Sequence, residues 1–187
     1  MLTVFGASIW TVNNRRGVEL TKLPWGFNID HRRYPEPCRI QNEVGGYCRV
    51  LPCGPPSLEL LTENSKILTQ FKKDMTESYL VKLDYIFSQV ISYDLKLKFW
   101  KSVSNQAYKC SNVRGPNTEF SYMGHKVVNI WVDGLNLADA HHVFSYNNHL
   151  NITLSYNDAK NCEAYEEYVA TIPKVFTDFM NIMEAAH

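Results

Sequence analysis

The chain has 187 residues, and its 19 basic and 19 acidic side chains cancel to zero net charge. Hydrophobic residues supply 45% of it and aromatics 13%, enough for one domain with a real core. This balance excludes a strongly basic nucleic-acid binder and a disordered chain, and the short apolar runs exclude a transmembrane helix.

The first element is apolar from Leu2 to Val12, as a buried helix would be. Asn13-Asn14-Arg15-Arg16-Gly17 ends it, with glycine just past the last turn. Phe27 to Asp30 suits a short strand, and Tyr34-Pro35-Glu36-Pro37 suits a loop. Gly46 to Leu51 alternates as a strand does, and Pro52 with Gly54-Pro55-Pro56 stops it. Ser57 stands at the N-cap of a helix carrying Leu60, Leu61, Leu68, Phe71 and Met75 on one face. A second helical run covers roughly Tyr79 to Val103, with Leu83, Ile86, Phe87, Val90 and Ile91 on one side.

From Tyr108 the texture turns to strands. Tyr108 to Val113 leads into the turn Arg114-Gly115-Pro116, and Lys126 to Val132 is strongly β-forming. His149 to Tyr156 alternates, with Leu150, Ile152 and Leu154 on one face and Asn151, Thr153 and Ser155 on the other. One face therefore meets a core, and the other forms a polar surface or a channel wall. The last run places Tyr165, Tyr168, Val169, Ile172, Phe176, Phe179, Met180 and Met183 at helical spacing. Pro173 inside it predicts a kink or a helix that starts there. The order of elements is that of an α/β or α+β fold, a sheet flanked by helices.

Little chemistry is self-evident. The cysteines Cys38, Cys48, Cys53, Cys110 and Cys162 are odd in number and show no CxxC spacing, so they read as free thiols. Residues 1–56 carry seven basic and four acidic residues, and the remainder carries the opposite excess. The basic part, at Arg15-Arg16 and His31-Arg32-Arg33, reads as solvated charge or as a patch for an anionic group. His141-His142 has Asp133 and Asp139 nearby. Adjacent side chains on a strand point to opposite faces, so the pair reads as structural rather than metal-binding. There is no GxSxG elbow, Walker motif or GxGxxG.

Two stretches are more specific. Cys110-Ser-Asn-Val-Arg-Gly-Pro116 is followed by Gly124-His125, and His149-Leu-Asn-Ile-Thr-Leu-Ser-Tyr156 comes later. Together they resemble the C-terminal domain of the wax ester synthase/diacylglycerol acyltransferase family. Ser111, Asn112, Val113, Gly115 and Pro116 match its S/T-N-V-x-G-P motif, with Arg114 in the variable slot. Leu150, Asn151, Ile152 and Thr153 match the start of L-N-I-T-x-x-S-Y, and Ser155 and Tyr156 match its end, with Leu154 alone where the motif has two residues. Weaker agreement runs upstream through Asn28 to Arg33 and Asn42 to Pro52.

The resemblance implies one lobe of a chloramphenicol acetyltransferase-like two-lobed fold, residues 1–187 forming a single domain. It implies acyl transfer from acyl-CoA, as co-substrate, to a long-chain alcohol or diacylglycerol, with no bound cofactor or metal. The substrate-binding candidates are then Asn112, Gly115, Pro116, Asn151, Thr153, Ser155, Tyr156 and Arg33. The family's HHxxxDG motif belongs to an N-terminal lobe. Here His141-His142 is followed by Val-Phe-Ser-Tyr146-Asn147, so no catalytic residue is assigned. The expected partners are acyl-CoA, a lipid alcohol and that N-terminal lobe, with no nucleic acid. The expected place is the cytoplasm or the periphery of a membrane. A non-catalytic lobe binding acyl-CoA, lipid or a protein partner is the alternative. On this reading the abrupt apolar start at Met1 is an internal point of a longer pattern.

Overall fold

The computed structural model describes residues 1–30, 44–76, 90–95, 98, 107–132, 139–156 and 162–186. Its principal elements are helix α1 (Leu2–Arg15), strands β1 (Lys22–Asp30) and β2 (Val44–Pro52), and helix α2 (Leu58–Thr76). Then come β3 (Tyr108–Arg114), β4 (Ser121–Tyr122), β5 (His125–Lys126), β6 (Ala140–Tyr146), β7 (His149–Ser155) and helix α3 (Cys162–Ala185).

Five strands form one mixed sheet in the order β2-β1-β3-β6-β7. The central pairs β1–β3 and β3–β6 are parallel, and the outer pairs β1–β2 and β6–β7 are antiparallel. Register decides which side chains share a face. Phe27 lies beside Cys110, Cys110 beside His141, and His141 beside Leu154. That row faces the helices. Leu23, Trp25, Leu51, Cys110 and Val143 join Phe5, Ala7 and Ile9 of α1 in one core. Leu60 of α2 and Tyr168, Ile172, Val175 and Phe179 of α3 close it.

Local chemistry explains the boundaries. Gly17 takes φ +72° after α1. Val18 N–H then donates to the Asn13 carbonyl at 2.9 Å and Gly17 N–H to the Asn14 carbonyl at 3.1 Å. This six-to-one and five-to-two pair satisfies the last carbonyls of the helix. Ser57 caps α2 by accepting the Leu60 N–H at 3.1 Å. The β6–β7 hairpin turns at Asn147 and Asn148, with φ 47° and 62°, the left-handed pair that matches strand twist.

Three expectations change. The strand expected over Lys126 to Val132 ends at Lys126, and among the described residues no strand pairs with the backbone of the residues after it. The last helix starts at Cys162 rather than Pro173, and Pro173 sits within it. Pro173 is on the exposed side, while the buried flank of Thr171, Ile172 and Val175 continues past it. Leu150 is largely exposed, unlike Ile152 and Leu154, which pack on the core. The helical run expected from Tyr79 falls largely outside the described residues.

Phe5 is fully buried, 6.3 Å from the Trp25 ring centroid and 4.6 Å from that of His141. Replacing Phe5 by alanine removes packing from α1, the sheet and α3 together. A loss of about 3–5 kcal/mol is expected in urea unfolding of the variant.

Candidate functional site

The strands divide the matched residues between the two ends of the sheet. β3 and β6 run parallel, so Gly115 and Pro116, just past the Arg114–Ser145 pair, sit at their far end, while Asn112 lies midway, beside Val143. β7 returns antiparallel, so Asn151 lies beside Phe144 at that same end, whereas Ser155 lies beside Ala140 at the start of β6. A rise of about 3.3 Å per residue separates the two ends by roughly 20 Å. Thr153 is intermediate, opposite His142. Arg33 lies outside the described residues.

At the near end a pocket of about 340 Å³ opens between the end of α1, the start of α3 and the sheet. Asn13 and Arg16 of α1 line it, with Tyr108 and Asp139 from the sheet. Ser155 and Tyr156 line it too, and the Tyr156 ring stacks on Tyr165 at 4.4 Å with 15° between planes. Arg15 and Arg16 both reach Glu167 of α3 at 3.2 Å. These exposed pairs join the two helix ends and contribute little stability.

Beneath the pocket lies the most constrained group. His141 is 3% exposed and packed among Phe5, Trp25, Tyr108 and Tyr168. Its Nδ1 lies 3.0 Å from the Lys109 carbonyl, and its Nε2 lies 2.6 Å from the Tyr168 hydroxyl. A carbonyl only accepts, so Nδ1 carries the proton. Nε2 of the neutral ring therefore accepts from Tyr168. Burial lowers the His141 pKa to about 4, which keeps the ring neutral at pH 7. Burial also pushes the Tyr168 hydroxyl well above its usual range, so it stays a donor. Both ring nitrogens are engaged, and neither offers a lone pair to a substrate hydroxyl.

The neighbouring histidine follows the alternation expected of a strand. His142 lies beside Thr153 on the sheet's other face. Cys53 and Cys110 are buried free thiols whose pKa values burial raises to about 11 and about 12. Such thiols are poor nucleophiles. Cys48 is a free thiol on the surface. Among the described residues no group of three His, Cys, Asp or Glu is placed to hold a metal.

The far end is built differently. Gly115 N–H donates to Ser145 Oγ at 3.1 Å, and Asn147 N–H donates to the Pro116 carbonyl at 3.0 Å. A Cβ on Gly115 would lie within the Ser145 carbonyl and 2.6 Å from the Phe144 ring. Glycine at this position is therefore required by the close approach of backbone and ring. Asn112 is exposed. Asn151 Nδ2–H donates to Asn129 Oδ1 at 2.7 Å, and that same oxygen accepts the Ile130 N–H at 2.9 Å. Nothing in the bare sequence links Asn151 to Asn129, since the contact depends on how the intervening chain is laid down.

The family model described as the WS/DGAT C-terminal domain matches residues 42–168, about two-thirds of the chain, and spans both motifs. No curated protein sequence matches. Among solved structures, the chain is similar to polyketide synthase associated protein 5 from Mycobacterium tuberculosis at 12% identity, with a TM-score of 0.47. That likeness covers 91% of this chain and 43% of the other, so the chain spans less than half of that protein's length.

Two measurements test the site. Between the ordinary histidine value of 6.5 and the native value of about 4, the unfolded chain binds a proton that the folded chain refuses. Stability from His141 is thus present above pH 6.5 and falls as pH drops toward 4, by about 3 kcal/mol. Urea titrations across that range should show this slope, and H141Q should lose it. Second, Gly115→Ala should cost about 2 kcal/mol or more in thermal unfolding, because backbone and an aromatic ring must both move.

Proposed function

Since the chain belongs to the WS/DGAT acyltransferase family, we propose that it forms the C-terminal lobe of an acyl-CoA-dependent O-acyltransferase. The match across residues 42–168, containing both motifs, is the observation that carries this reading. The donor is a fatty acyl-CoA, and the acceptor is a long-chain alcohol or diacylglycerol. The products are a wax ester or a triacylglycerol, plus free CoA.

The reaction needs a general base. It removes the acceptor hydroxyl proton as the oxygen attacks the thioester carbonyl, and the CoA sulfur leaves. A neutral histidine near its ordinary pKa suits that task. His141 does not, because its nitrogens are bound to Lys109 and Tyr168 and its basicity is suppressed. Its neighbours along the chain also lack the Asp and Gly of HHxxxDG. On this reading the base comes from an N-terminal lobe, and this chain contributes binding surface. Asn112, Thr153, Ser155, Tyr156 and Arg33 remain the candidates for that surface. No cofactor is required beyond the co-substrate. No described helix is long and apolar enough to cross a membrane, and a peripheral contact with a lipid surface fits such substrates.

The purified chain should show no acyl-CoA:alcohol transfer when radiolabelled acyl-CoA is followed into lipid product. Adding a family N-terminal lobe that carries HHxxxDG should restore transfer. Turnover by the chain alone would refute the placement of the base. Tight acyl-CoA binding without turnover in the completed pair would instead favour the non-catalytic alternative.

A further inference from the structure

The pocket at the near end is lined by tyrosines from three elements. Tyr108 comes from β3, Tyr156 from just past β7 and Tyr165 from the first turn of α3. Asp139, just ahead of β6, joins them. The Lys109 N–H donates to the Asp139 carbonyl at 3.1 Å, which pins that residue beside Tyr108. Burial, and then the Asp139 charge, push both the Tyr108 and the Tyr165 hydroxyls above their ordinary range. One carboxylate thus acts on a strand tyrosine and a helix tyrosine that line the same cavity.

The other polar groups there are acceptors, or cations already engaged. The Tyr165 hydroxyl is buried with no hydrogen-bond partner among the described residues. Asn13 Nδ2–H donates to the Ile9 carbonyl at 2.8 Å. A carbonyl only accepts, so the amide atom Asn13 keeps for other contacts is its oxygen. Arg16 donates to Glu167 through Nε at 3.4 Å and Nη2 at 3.2 Å, and Arg15 does so through Nη1 at 3.2 Å. Ile9, Val12 and Leu154 supply apolar wall.

We infer that this pocket binds a primary ammonium ion carried on a short apolar body, with the cation held by Asp139 against the tyrosine rings. Aromatic faces attract cations most strongly where water is excluded. The carboxylate offsets the cost of desolvating the cation. The Asn13 and Tyr165 oxygens take its N–H groups, and the aliphatic wall takes its body. A volume of about 340 Å³ suits an amine the size of an arylethyl group. An anionic ligand would instead meet Asp139, with both arginines turned to Glu167. This inference does not rest on the acyltransferase reading.

Isothermal titration of the full chain with 2-phenylethylammonium tests it. 2-Phenylethanol and phenylacetate carry the same ring with no charge and with the opposite charge. The amine should bind at least about tenfold more tightly than either, and its N-trimethyl derivative should bind more weakly for want of N–H donors. Asp139→Asn should weaken the amine about tenfold or more and leave 2-phenylethanol unchanged. Tyr165→Phe keeps the ring and loses a hydroxyl that bonds nothing in the free chain. It should weaken the amine severalfold without lowering the thermal midpoint. Equal affinity for amine and alcohol overturns the inference. Displacement of the amine by CoA shows an anionic occupant; it overturns the inference and leaves the proposed function standing. Displacement by phosphatidylethanolamine vesicles shows a lipid headgroup as the source of the ammonium and overturns the short soluble body.

Discussion

The hydrogen-bonded bridge from Lys109 through His141 to Tyr168 is the interaction around which the fold is organised. It ties three elements together: the Lys109 carbonyl belongs to β3, the imidazole to β6 and the hydroxyl to α3. In a core otherwise made of apolar side chains, a polar group must have both partners or it destabilises. That condition allows one depth and one rotation of α3 over the sheet. Phe5 then packs against the imidazole, and α1 is set by the same ring. The hydrophobic residues provide the driving force, and this bridge provides the register.

The same bridge explains why the histidine pair is silent chemically. A general base needs a free lone pair and a proton affinity near working pH. The fold withdraws both from His141. It also places His142 on the opposite face of the sheet, so the two rings cannot cooperate. A histidine pair in the sequence is thus a poor guide to catalysis when strand alternation separates its members. What distinguishes a base from a core histidine is the destination of each ring nitrogen, and that is visible only once the helix above it is placed.

Much of the architecture was legible in local patterns. The helix stop at Gly17, the cap at Ser57 and the alternation in β7 all carry their own chemistry within a few residues. Expectations failed where the answer depended on distant partners. Val127 to Val132 has the propensity of a strand, but among the described residues no strand of the sheet pairs with its backbone. Pro173 reads as a kink or a helix start, and of the two the start is excluded, because apolar packing on both sides carries α3 through it. The site candidates divide in the same way. Ser155 and Tyr156 line a pocket, while Gly115 and Asn151 hold backbone and side chains together at the other end of the strands. Proximity in a motif list implied one site, and the antiparallel return of β7 makes two.

This division assigns different physical demands to the two ends. At the near end the interactions are enclosed, neutral and fully partnered around His141, which suits a load carried by packing. At the far end the segment from Pro116 to Val132, here called the arm, projects apolar side chains into solvent and is held by five hydrogen bonds to Tyr146, Asn147 and Asn151. Ordering an exposed segment costs conformational entropy, on the order of 1–2 kcal/mol per residue. Packing along the arm itself offsets little of this, because so much of its apolar surface remains outside. Its anchors come mostly from the β6–β7 hairpin, at Tyr146 and Asn147, with one from the matched residue Asn151, so the order of the arm follows from the order of that hairpin. The neutral, closed core below gives that arm a rigid base from which to be presented.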